Sequence, residues 1–94
     1  MYETEIRICD LAKEIYNMAP IKIIILYPDK DGEVAWDDDY DCTNLTIEEE
    51  IEMMKKSQEQ FLNTLKRKDL VKSIKYVITH HHHSIVYIET EGEN

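Results

Sequence analysis

The sequence predicts an α/β (α+β) domain of order αββαββ, a single antiparallel sheet covered by two helices. Three observations carry this expectation. Residues 21–27 form a short, isoleucine-rich run, a capped helix opens at Thr46, and two aliphatic segments flank a histidine cluster near the C-terminal end. A further helical pattern precedes the first run, so the order is helix, hairpin, helix, hairpin.

In the first segment, Ile8, Leu11, Ala12 and Ile15 recur at i, i+3, i+4 and i+7 and share one helix face. Glu3, Glu5, Lys13 and Glu14 fall toward water. Pro20 lacks an amide proton and disfavours helix just before it, which predicts a helix over about residues 4–18.

Residues 21–27 read Ile-Lys-Ile-Ile-Ile-Leu-Tyr. Such a short β-branched run predicts a central strand buried on both faces. The Pro-Asp-Lys-Asp-Gly stretch that follows is a turn, with proline presetting φ and Gly32 supplying a positive φ. Residues 33–37 then alternate, with Val34 and Trp36 on one face, and close a hairpin. Trp36, the single tryptophan, is either a core plug or an exposed partner-binding anchor. Residues 37–44 form an acidic loop.

The second helix is marked at both ends. Thr46 and Glu49 make a capping box, and Glu48, Glu49 and Glu50 suit the positive end of the helix dipole. Lys66, Arg67 and Lys68 suit a last turn. Ile47, Ile51, Met54, Gln58, Phe61 and Leu65 are spaced 4, 3, 4, 3 and 4, a narrow seam of coiled-coil type about 27 Å long. Residues 74–79 and 85–89 are two further strands, joined through residues 80–84 as a second hairpin, and a polar tail follows.

One domain of 94 residues accommodates these elements. The net charge of −9 makes nucleic acid and anionic membranes poor partners. It also supports a rival reading, an acidic inhibitor or nucleic-acid mimic that blocks a basic enzyme surface. No apolar run reaches the ~18 residues of a membrane span, and residues 1–7 carry acid where a signal peptide carries base. Cys9 and Cys42 form no motif, which suits two free thiols in a reducing cytoplasm.

Catalytic and cofactor signals are sparse. Gly32 and Gly92 are the only glycines, so neither a P-loop nor a dinucleotide fingerprint can be built. Acidic surroundings disfavour a Cys42 thiolate. In the run His80, His81, His82 and His83, alternate residues on a strand would share a face, so His80 and His82 could chelate one divalent ion. Without a third ligand, a polar hairpin tip is the better reading, with a pH-sensitive contact as another. Asp29, Asp31 and Gly32 echo a calcium loop, but the spacing fails and the terminal glutamate is missing. No metal, cofactor or catalytic residue is expected.

The element order, together with residues 23–34 (Ile-Ile-Ile-Leu-Tyr-Pro-Asp-Lys-Asp-Gly-Glu-Val), resembles the Roadblock family. That family is named for a dynein light chain and also occurs beside Ras-like GTPases in bacteria and archaea. The resemblance spans about residues 5–89. The family usually has a fifth strand and often a third helix, so this chain looks like a minimal member. The resemblance implies a homodimer in which second helices pack together and sheets join. The composite surface would dock a small GTPase or a larger scaffold. It places Ile47, Ile51, Met54, Phe61 and Leu65 at the dimer interface, with Gln58 in the middle pairing with its own copy. The function expected is a non-catalytic homodimeric adaptor.

Overall fold

The structure, a computed structural model, describes residues 5–38 and 43–91. Its elements follow the expected order: α1 (Ile8–Asn17), β1 (Lys22–Leu26), β2 (Glu33–Asp37), α2 (Ile47–Thr64), β3 (Val71–Ile78) and β4 (Ser84–Thr90). The strands lie in the order β2-β1-β4-β3.

The sheet is mixed, which corrects the expectation of an antiparallel one. Both hairpins are antiparallel, but β1 and β4 meet in parallel, with Ile23 beside Val86 and Ile25 beside Ile88. The reason is α2. It carries the chain back along the sheet, so β3 starts at the end where β2 started and β4 returns alongside β1.

Both helices pack on one face. Ile8, Ala12 and Ile15 of α1 and Phe61 of α2 close over Ile23, Ile25, Ala35, Val86 and Ile88. Each fully buried isoleucine contributes about 1.5–3 kcal/mol. Burial of β1 on both faces does not occur: Ile23 and Ile25 are buried, while Lys22, Ile24 and Leu26 on the other face are half-buried.

The start of α1 has no side-chain cap. Instead, Ile8 N donates to Asp69 O at 3.0 Å and Cys9 N donates to Arg67 O at 2.9 Å. These carbonyls satisfy two amides that a helix start leaves free. At the other end, Ala19 takes a left-handed φ of 55° just before Pro20, at the position that glycine favours.

The capping box of α2 is present, with Glu49 N donating to Thr46 Oγ1 at 3.1 Å. The helix ends at Thr64, so Lys66, Arg67 and Lys68 lie beyond it and not in its last turn as expected. Tighter bonds, from Lys66 N to Asn63 O and from Arg67 N to Thr64 O, close it off. Ser57, Phe61 and Thr64 turn inward, and Ser57 Oγ donates to Asp37 O at 2.8 Å. The small side chains of Ser57 and Thr64 let the helix lie close against the sheet.

Gly32 is needed for space and not for a positive φ as expected. A Cβ there would lie 3.0 Å from Ile25 O and 3.1 Å from Leu26 Cδ2. At the other hairpin tip, Thr79 N donates to His83 O, His82 N donates to Thr79 O, and His82 sits at φ 61°. The Cα radius of gyration is 14.4 Å, against about 12 Å for a round domain of this length.

Candidate interaction surfaces

On β3, side chains and backbone reach the surface together. Ile74 and Tyr76 lie opposite Ile88 and Val86, on the face that carries the helices. The helices stop short of them: Ile74, Tyr76 and Ile78 are 48%, 48% and 64% exposed. β3 is also an edge strand. Because Thr79 bonds His83, the alternation of an antiparallel ladder turns Val77 and Lys75 toward β4. The N–H and C=O groups of Ile74, Tyr76 and Ile78 therefore point out of the sheet. Lys72 forms a bulge at the start of the strand, between Val71 and Ser73.

A second apolar surface runs along α2. The six residues expected at a dimer interface divide between two environments. Phe61 is buried in the core and Leu65 is half-buried against it. Ile47, Ile51 and Met54 are 77%, 46% and 47% exposed, and Gln58 is exposed beside them. Leu62 extends the exposed stripe.

Where α1 passes α2, the stripe becomes the wall of a cleft of about 450 Å³ that is also lined by Lys13, Tyr16 and Trp36. Trp36 is half-buried at the margin of the core. Its ring meets Tyr16 edge-on at 5.0 Å, and Tyr16 reaches Phe61 at 4.5 Å. α1 ends at Asn17, and the rest of the stripe, Ile47, Ile51 and Met54, is exposed.

Protein families, characterised proteins and solved structures offer no match to this chain. Nothing therefore identifies it as a Roadblock member, and its strand order and helix placement differ from the Roadblock arrangement.

One polar cluster joins the first hairpin to the turn after α2. Arg67 bonds Asp69 and reaches Glu33 at 2.8 Å, and Tyr27 O–H donates to Glu33 at 3.2 Å. Lys30 and Arg67 both lie against the Tyr27 ring, at 4.3 and 5.0 Å. The Arg67 hydrogen bond holds the Asp69 carboxyl below its ordinary value, while burial foremost pushes the Tyr27 hydroxyl well above its own. Each group of this cluster answers another within the chain. Sequence reasoning missed this cluster because Glu33 and Arg67 meet only through the fold.

His80 to His83 occupy the exposed tip of the second hairpin, with the His81 and His83 rings 6.3 Å apart. The turn at His82 breaks the strand alternation that would pair His80 with His82. Among the described residues, no three His, Cys, Asp or Glu side chains converge as metal ligands. Cys42, with Asp39, Tyr40 and Asp41 of the acidic loop, lies outside the described residues. Among those residues, no helix is long and apolar enough to cross a membrane.

Proposed function

We propose that this chain is a non-catalytic adaptor that works as a homodimer, one apolar surface joining the copies and the other docking a partner protein. The observation that carries the proposal is the exposed edge of β3. A two-fold axis perpendicular to the sheet pairs two such edges antiparallel with both helix layers on one side.

The register follows from charge and pairing. Centred on Lys75, the ladder would set two lysines face to face and run into the bulge at Lys72. Centred on Tyr76, it sets Tyr76 opposite its own copy and Ile74 opposite Ile78 of the second copy. That arrangement forms about six backbone hydrogen bonds and covers one continuous apolar strip.

The partner class, a Ras-like small GTPase or a larger scaffold, rests on the sequence resemblance carried by residues 23–34 and the element order. Absolute mass by light scattering across concentrations tests the dimer. A constant mass near twice 11.2 kDa supports it, and a monomer at high concentration removes it. GTP hydrolysis by candidate small GTPases, with and without the protein, tests the partner class.

The second reading, an acidic inhibitor of a basic enzyme surface, is favoured by Glu48, Glu49, Glu50 and Glu52, which crowd one end of α2 in a chain of charge −9. Binding to a basic enzyme that weakens steeply with salt would select it.

A further inference from the structure

We infer that the exposed stripe of α2 is a docking groove for a basic amphipathic helix of a partner protein. This rests on the adaptor reading above and names the partner's chemistry.

At 100° per residue, Ile47, Ile51, Met54, Gln58, Leu62 and Leu65 fall within one narrow arc of α2. That arc points sideways, away from the inward Ser57, Phe61 and Thr64. Near Leu65, the space beside the arc is taken by α1, whose Tyr16 reaches Phe61. α1 ends at Asn17, and farther along the arc Ile47, Ile51 and Met54 are exposed. A partner helix lying beside that arc would extend the packing that α1 begins, at the usual helix spacing of about 8–10 Å.

Charge decides which helix fits. Between Thr46 and Met54, α2 carries Glu48, Glu49, Glu50 and Glu52 and no lysine or arginine. Glu48 and Glu50 border the arc on its two sides, and Lys55 is the first cation along it. An occupant therefore gains from lysine or arginine over the bare end of the groove. A second copy packed parallel aligns the two glutamate clusters and is disfavoured.

The test uses the full chain and two synthetic helical peptides of about 18 residues. Both have leucines at i, i+3, i+4 and i+7, one with lysine flanks and one with glutamate flanks. Trp36, the sole tryptophan, lines the cleft and reports binding by its fluorescence. The lysine peptide should bind at least about tenfold more tightly than the glutamate peptide and weaken with added salt. Ile51→Ser and Glu48→Lys should each weaken it several-fold, while Tyr76→Lys leaves its affinity unchanged. Equal binding of both peptides, or of neither, overturns the inference. A fall in mass of Ile51→Ser on light scattering also overturns it, because a second copy then covers the stripe. If Tyr76→Lys remains a dimer while the lysine peptide still binds, the β3 dimer fails and the groove stands.

Discussion

Arg67 grips Asp69 through two hydrogen bonds, Nε to Oδ1 at 3.0 Å and an η nitrogen to Oδ2 at 3.3 Å, while the backbone carbonyls of the same two residues cap α1. The ion pair thus shapes the turn that receives the first helix. Asp69 is nearly buried, its side chain 10% exposed. Arg67→Met leaves Asp69 without its ion-pair partner, leaves Glu33 with Lys30 alone, and loosens the cap. A loss of about 2–3 kcal/mol is expected, read from the urea midpoint at neutral pH.

The same pair sets an acid dependence. Hydrogen bonding to Arg67 lowers the folded pKa of Asp69. Its contribution is therefore complete above the unfolded value, about 3.9, and is lost as pH falls through the lower folded value. Unfolding free energy followed from pH 6 to pH 2 should fall less in Asp69→Asn than in the parent chain. Parallel curves would mean that Asp69 is not titrating against Arg67.

Two left-handed residues offer stabilising changes. Ala19 at φ 55° and His82 at φ 61° occupy backbone that glycine adopts freely. Ala19→Gly and His82→Gly should each add about 0.5–1 kcal/mol in thermal unfolding.

The seat of α2 depends on a small side chain. Ser57 is buried and its hydroxyl reaches Asp37 O at 2.8 Å. Ser57→Leu should push the helix off β2 and cost about 1–3 kcal/mol. Ile51→Ser, on the exposed stripe, should stay within about 0.5 kcal/mol of the parent. Comparable losses in both would mean that the stripe is already packed.

At the open edge, Tyr76→Lys sets two cations opposite each other in the proposed ladder. It should halve the mass on light scattering and leave the far-ultraviolet dichroism intact, since Tyr76 is half exposed.

Much of the chain was legible before folding was considered. The 3.6-residue recurrence of Ile8, Ala12 and Ile15 identified the buried side of α1, and Thr46 with Glu49 marked the start of α2. Local rules suffice there. The spacing of the α2 seam shows one apolar stripe, but not where it divides between buried Phe61 and exposed Ile47. Beside Phe61, contact with β2 is made by Ser57, whose small size carries no hydrophobic signal. The alternation of Ile74, Tyr76 and Ile78 was visible as a strand, but its exposure depends on β3 becoming an edge. That follows from the parallel meeting of β1 with β4, which no local pattern encodes.

That parallel meeting also orders the folding events. Each hairpin closes locally, within microseconds for such elements. The ladder from Lys22 beside Ile85 to Leu26 beside Glu89 must bring together residues far apart in the chain, with α2 between them. Closing that loop carries a larger entropic cost than either hairpin, so the folding rate is expected to track the β1–β4 seam. β1 and β4 are the two inner strands, and their amides are expected to be the last to exchange their hydrogens.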